Sequence, residues 1–284
     1  MYSTNRINKS GHNDCNGSQK GPDLFCINTP PVQKGWMGRN AIRLDKTDST
    51  NRAIKEYAKE ALEGLLVIAR EQTAGRGRME RNWSSPSGEG IWMSFLLKPQ
   101  LAPSECSGLT LVTALALTKA LRKVTGLDLM IKWPNDVVCN GKKIAGILTE
   151  MSTKNMEVEH IIVGVGINVS TTDFPEEIKS TATSLLLEEA KELSHDVIIE
   201  EFLREFEQVY AAYIKAGNMS LLKEEYETYL VNIGRMVSVR EGDNVQLGKA
   251  VGINNEGELL FERDSVITAI RAGEVSVRGI YGYV

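Results

Sequence analysis

The dipeptide Asn140-Gly141 lies between two apolar runs, and it constrains the fold more than any other feature of this sequence. Asn and Gly tolerate the left-handed backbone of a two-residue hairpin turn, so the flanking runs are expected to pair antiparallel. Cys139 then faces Lys142, Val138 faces Lys143 and Asp136 faces Ala145. Side chains alternate along a strand, so Asp136, Val138, Lys143 and Ala145 share one face. Asp136 and Lys143 become diagonal neighbours, about 7–8 Å apart at the backbone. One carboxylate and one ammonium converge there, which suits a metal-bound phosphate on one side and a second anion on the other. Lys142 points the other way. Gly146 lets a group approach the second strand closely. A surface salt bridge on a hairpin is the alternative reading, and the flanking WPND (residues 133–136) weighs against it.

The rest of the chain divides around this hairpin. Residues 1–38 are polar and carry Pro30-Pro31, with no helical or strand period, so they read as a disordered arm. Strand patterns follow at 41–45, 65–69, 91–97, 127–133 and 159–169. Helical spacing marks 53–62 (capped by Ser49 or Thr50 and ended by Gly64), 103–124 (closed by Gly126), 197–214 and 221–231. Residues 171–184 are a polar loop with Pro175. From Gly234 the text changes to short β segments broken by Gly and Asn, the pattern of a small all-β barrel of about 50 residues. The expected division is therefore an arm (1–38), a mixed helix-and-strand domain (39–232) and a small β domain (233–284).

Composition excludes some functions. Lys and Arg number 33 against 37 Asp and Glu, a net charge of −4, which argues against a broad grip on nucleic acid or an anionic membrane. No apolar run approaches the ~20 residues of a membrane span, and no secretion signal opens the chain. Cys15, Cys26, Cys106 and Cys139 are scattered without a CxxC pair, as reduced thiols of a cytoplasmic protein would be. The three His residues are too dispersed for a His-based metal site.

Against that acidic background, TAGRGRMERNW (residues 73–83) concentrates Arg76, Arg78 and Arg81. Gly75 and Gly77 permit close backbone approach, and guanidinium forks suit a phosphate or carboxylate. Glu80 stands where a dinucleotide fingerprint needs its third glycine, and no GK[ST] follows as in a P-loop. Read alone, the stretch is equally a solvated basic turn. VGVGINV (residues 163–169) also lacks a third glycine, so Gly164 and Gly166 by themselves need only permit backbone packing. Asn168 at its end is either a ligand group or a turn former.

Together these segments resemble the biotin protein ligases. The match rests on DSTN (48–51), EQTAGRGRMERNW (71–83), KWPNDVVCNGKKIAGILTE (132–150), VGVGIN (163–168) and ATSL (182–185), in family order, with GEVS (273–276) late in the β unit. The resemblance implies an α+β fold: a mixed sheet flanked by helices, of the class II synthetase-like type, followed by a small SH3-like β-barrel. It implies that ATP activates biotin to biotinyl-5′-adenylate, and that a lysine of a biotin carboxyl carrier domain then takes the biotin. Lys143 would bridge the biotin carboxylate and the α-phosphate, with Arg78 as the second catalytic group. Ser49, Thr50, Asn51 and Gln72 would bind the biotin ring. Gly75, Gly146, Gly164 and Gly166 would let backbone approach biotin, with Arg76 near its carboxyl. Arg76, Arg78, Arg81, Lys143, Asn135, Asn168 and Trp83 would surround ATP, Trp83 chiefly by packing the loop. Asp136 is the candidate ligand for Mg²⁺, ahead of Asn135, Glu150 and Asn168. From the β unit, Arg235, Lys249 and Arg271 could reach the nucleotide or the acceptor.

The partners implied are a carrier domain of a biotin-dependent carboxylase, biotin and ATP. A homodimer is compatible, because the family's sheet can pair edge to edge. Some members carry an N-terminal DNA-binding domain; residues 1–38 are too short and polar to form one, so no sequence-specific DNA binding is expected. The rival readings are a lipoate or octanoate ligase and a biotin-responsive sensor without catalysis. The polar groups Ser49, Thr50 and Gln72 favour a ureido ring over a lipoyl chain.

Overall fold

The computed structural model describes residues 35–190, 194–272, 276–279 and 283–284. Most of the arm (1–34) and the GEV of GEVS (273–275) lie outside the described residues.

Seven strands form the first sheet: β1 (Ala41–Thr47), β2 (Leu66–Gln72), β3 (Gly90–Leu97), β4 (Met130–Lys132), β5 (Asp136–Cys139), β6 (Lys142–Lys154) and β7 (Glu157–Asn168). Their order is β1-β2-β3-β7-β6-β5-β4. Only β1 and β2 run parallel, so the sheet is mixed, as expected. Strand β3 is buried on both faces and reads as an apolar run, GIWMSFLL, with Ser94 its only polar side chain.

Among the described residues, four α-helices accompany the sheets: α1 (Thr50–Lys55), α2 (Leu109–Thr125), α3 (His195–Ala216) and α4 (Lys223–Tyr229). Helix α3 buries Ile198, Phe202, Phe206, Val209 and Tyr213, the stripe that its spacing predicts. Phe95 of β3 packs on it, with ring centroids 6.1 Å from Phe202 and 4.8 Å from Phe206. Helix α1 is shorter than its apolar spacing predicts. After Lys55 the backbone bonds tighten to three-residue steps, Tyr57 N–H to the Ile54 carbonyl and Ala58 N–H to Lys55, so the α period is lost. Helix α2 likewise starts at Leu109, after a 3-10 turn over Glu105–Gly108.

The hairpin forms at the predicted turn, with Asn140 at φ 48° and Gly141 at φ 77°. Cys139 pairs with Lys142 and Val138 with Lys143, as expected, but Val137 pairs with Ala145 and Asp136 with Gly146. A bulge at Ile144 shifts the register by one residue, which corrects the expected Asp136–Ala145 pair. Ile144 and Ala145 both enter the core.

The second domain is a five-stranded antiparallel sheet of β8 (Met236–Glu241), β9 (Asn244–Ile253), β10 (Leu259–Arg263), β11 (Val266–Ile270) and β12 (Ser276–Gly279), ordered β11-β10-β9-β8-β12. Its Val237, Ile253, Phe261 and Val277 join the same apolar cluster as the first domain. Trp133 Nε1 donates to the Gly257 carbonyl at 3.0 Å, and Ile253 N–H donates to Glu227 Oε1 at 2.8 Å. The folded body also begins before the boundary read from the sequence. Met37 is fully buried, its N–H donates to Glu207 Oε1 at 2.8 Å, and Trp36 packs on Tyr210.

Truncating the fully buried Phe202 to Ala should cost about 3–5 kcal/mol, as deletion of a core aromatic does. Urea denaturation would check this, and a loss under about 1 kcal/mol would contradict the packing described.

Candidate active site

The sheet, α1 and the loop between β2 and β3 line a small cleft. Its floor is a chain of hydrogen bonds among amides and hydroxyls that ends on the Glu150 carboxylate. Gln72 Oε1 accepts from Thr50 N–H at 2.8 Å and from Thr50 Oγ1 at 3.1 Å, while Gln72 Nε2 donates to Ser85 Oγ at 2.8 Å. Ser94 Oγ donates to Asn51 Oδ1 at 2.6 Å and also reaches Thr50 Oγ1 at 2.7 Å. Asn51 Nδ2 donates to Glu150 Oε2 at 2.7 Å. Ser49, Thr50 and Asn51 are buried, so each needs such partners.

Three glycines make room above this floor. A Cβ on Gly164 would meet Asn51 Oδ1 at 2.3 Å, and one on Gly166 would meet Trp83 Nε1 at 2.6 Å. A Cβ on Gly146 would meet Trp83 at 2.9 Å and Lys143 at 3.0 Å. Gly75 lies against the Trp83 carbonyl, 2.4 Å from its would-be Cβ. The basic loop is a narrow hairpin, tied by Trp83 N–H to the Gly75 carbonyl and Gly77 N–H to the Arg81 carbonyl, at 2.9 and 2.7 Å. The Trp83 indole edge meets Trp92, and Lys143 lies 5.0 Å from the Trp83 ring. Trp83 Nε1 is buried without a hydrogen-bond partner and faces the glycine strand.

A second, larger cavity adjoins the first. Arg78, Trp83, Asn135 and Lys143 line both. Arg81, Lys132 and Arg278 add positive charge to the larger one. Asp136 is the buried counter-charge: Lys143 Nζ lies 2.6 Å from its Oδ1, Lys132 Nζ lies 3.9 Å from its Oδ2, and the Tyr283 hydroxyl donates to Oδ2. Burial pushes the Asp136 carboxyl up most strongly. The charges of Lys143 and Lys132, with bonds from Lys143 and Tyr283, outweigh it and hold the group below the usual range. Burial pulls the Lys132 ammonium down to about 8 against the pull of Asp136, and Lys143, Arg278 and Arg81 add to the lowering. A phosphate placed here would favour the charged ammonium.

The bulge and Gly146 explain how Lys143 reaches Asp136. The residue across from Asp136 has no side chain, so the Lys143 stem lies over Gly146 and its ammonium arrives at the carboxylate. Arg78 is aimed by Asn135, whose Oδ1 accepts from Nη1 at 3.1 Å while its Nδ2 donates to the Ile147 carbonyl at 3.1 Å, and by the Ala272 carbonyl of the second domain. Asn168 lines the larger cavity and donates to the Thr183 carbonyl at 3.0 Å, which ties down the 171–184 loop.

Some expected groupings do not form. Glu150 lies with Asn51, Lys55 and Arg76, beside the small cleft and away from Asp136. Arg76 lines the small cavity but is absent from the wall of the larger one. Among the described residues, no three His, Cys, Asp or Glu side chains cluster to hold a metal. Asp136, the buried carboxylate of the larger cavity, fits Mg²⁺ only as carried on nucleotide phosphates, a common way for that ion to bind. From the second domain, Arg278 and Tyr283 enter the larger cavity, whereas Arg235, Lys249 and Arg271 do not. Arg271 instead pairs with Glu258 at 2.7 Å. Ser94 and Tyr283 escaped the sequence reading. A lone serine inside an apolar strand was the available signal for Ser94; nothing local marks Tyr283.

Ser94→Ala should cost about 1–3 kcal/mol, because it removes the donor to the buried Asn51 Oδ1. A denaturation midpoint equal to that of the parent chain would show that the floor does not depend on this bond.

Comparison with known proteins gives the family of the chain. Residues 44–168 match the biotin/lipoate A/B protein ligase family, and residues 233–278 match the biotin protein ligase C terminal domain. The chain is 39% identical to the bifunctional ligase/repressor BirA of Bacillus subtilis over 244 residues, which cover 85% of this chain and 75% of that protein. It is 33% identical to the biotin–[acetyl-CoA-carboxylase] ligase of Paracoccus denitrificans, over 83% of this chain and all of that protein. The biotin protein ligase of Aquifex aeolicus, solved in complex with biotin and ATP, superposes with a TM-score of 0.74 at 32% identity, over 85% of this chain and 99% of that one. Motif order, two-domain architecture and these likenesses agree: the chain belongs to the biotin protein ligase family.

Proposed function

We propose that this chain joins biotin to a lysine of a biotin carboxyl carrier domain in two ATP-dependent steps. The observation that carries the reading is the shared wall of the two cavities. A small cleft with a neutral polar floor meets a larger cationic one at Arg78 and Lys143. The chemistry needs that junction. A biotin carboxylate is a poor electrophile, and its attack on the α-phosphorus of ATP brings two anions together. The carboxylate oxygen bonds to phosphorus and pyrophosphate leaves. The acceptor amine then attacks the acyl carbon, and AMP leaves.

In this reading Thr50, Asn51 and Gln72, with Ser49 beside them, hydrogen-bond the ureido ring. Gly75, Gly146, Gly164 and Gly166 let the ring lie against backbone, with Arg76 at the cleft mouth. Lys143 and Arg78 hold the carboxylate against the α-phosphate and offset the charge that builds on phosphorus. Arg81 and Lys132 face the remaining phosphates. Asn135 positions Arg78, and Asn168 positions the covering loop. Trp83 presents an unpartnered indole N–H and an aromatic face at the junction. Mg²⁺ bound to the phosphates would neutralise charge there, with Asp136 as the protein carboxylate nearest to it. The carrier domain of a biotin-dependent carboxylase is the proposed acceptor. The acidic charge balance supports a protein partner over DNA.

ATP–pyrophosphate exchange with Mg²⁺ tests the first step without the acceptor. Exchange should occur with biotin and not with lipoate or octanoate, and Lys143→Ala should lower it at least about 10²-fold, the usual effect of removing a group that meets transition-state charge. Exchange with lipoate alone would move the chain to the other branch of its family. The loops at 71–83 and 171–184 both border the larger cavity and would shield the adenylate from water. Biotin with ATP should therefore slow protease cleavage within both; unchanged cleavage would remove that role.

A further inference from the structure

Tyr283 lines the cationic cavity. Its hydroxyl donates to Asp136 Oδ2, and its ring lies 4.0 Å from Lys132 Nζ. Burial, then the charge of Asp136, raises its hydroxyl well above the usual tyrosine range, so it stays a donor. Lys143 already holds the other oxygen of Asp136 at 2.6 Å, while Lys132 stands off at 3.9 Å.

We propose that Tyr283 is a positioning residue for the nucleotide: by satisfying Asp136 and cradling Lys132 on its ring, it keeps that ammonium turned to the phosphates. Without the hydroxyl, Asp136 Oδ2 loses its donor and draws Lys132 into a closer ion pair than the present 3.9 Å. The buried ammonium then has less to offer a phosphate. The ring holds Lys132 through the attraction of a cation for an aromatic face. Tyr283 touches no reacting atom in this account; it acts through Lys132 and Asp136. The inference rests on the nucleotide site proposed above.

The test compares the parent chain with Tyr283→Phe, Tyr283→Ala, Lys132→Met and the Tyr283→Phe/Lys132→Met double variant. ATP·Mg²⁺ binding is read by calorimetry, exchange kinetics give KM and kcat, and biotin affinity without nucleotide reports the fold. Tyr283→Phe should weaken ATP about tenfold, the loss of one hydrogen bond to a charged group, with kcat and biotin affinity nearly unchanged. Tyr283→Ala should weaken it further. In the Lys132→Met background, Tyr283→Phe should add little, since coupled residues are not additive. ATP binding that is unchanged or tighter in the Tyr283 variants, or fully additive losses, would overturn the inference. So would equal losses for biotin and ATP, which would make the role structural. A parent chain that binds ATP but does not exchange with biotin would sink the ligase reading, while calorimetry would still decide the role of Tyr283.

Discussion

The ion pair between Asp136 and Lys143 is the constraint on which the rest of the site depends. A carboxylate buried as deeply as Asp136 is costly unless paired and hydrogen-bonded. The hairpin provides the pairing through a local irregularity. The bulge at Ile144 sets Gly146 across from Asp136, and the missing side chain leaves the path by which the Lys143 stem crosses. Without the carboxylate, Arg78, Arg81, Lys132, Lys143 and Arg278 would line one cavity with no buried acid among its inner groups. With it, the cluster keeps an excess of positive charge that an arriving polyanion can satisfy.

The two cavities divide the chemistry by polarity. The floor of the small one uses amides and hydroxyls already bonded to one another, so its geometry is set before a ligand arrives. The large one uses full charges, and the lowered ammonium of Lys132 shows what burying a charge costs, with its like-charged neighbours adding to it. Recognition of an uncharged ring needs direction more than field strength, and binding of phosphates needs field. Reaction occurs where the two kinds of wall meet.

The small β domain belongs to this arrangement physically. Its apolar residues merge with the main core, Gly257 accepts from Trp133, and the Ala272 carbonyl accepts from Arg78. Trp133 is joined to the chain that carries Asn135 and Asp136, so the domain contact braces the segment that holds the charges.

Much of this was legible in the sequence because it depends on short-range rules. Asn140-Gly141 determined a hairpin through backbone conformation, and the stripe from Ile198 to Tyr213 determined a helix through its period. The glycines and arginines of 73–83 marked a ligand loop by composition and family likeness. Four features were decided only in three dimensions. The Asp136–Gly146 register came from packing, since Ile144 and Ala145 both find the core. Helix α1 stopped early because its bonding tightened after Lys55. Glu150 was drawn to Asn51 and Arg76 by their proximity on neighbouring elements, away from Asp136. Tyr283 reached Asp136 across 147 residues of chain, where no local pattern could announce it. Sequence thus determined the elements and the chemical groups, through backbone preference and period; tertiary structure decided which groups meet, because contact between distant residues depends on how whole elements pack.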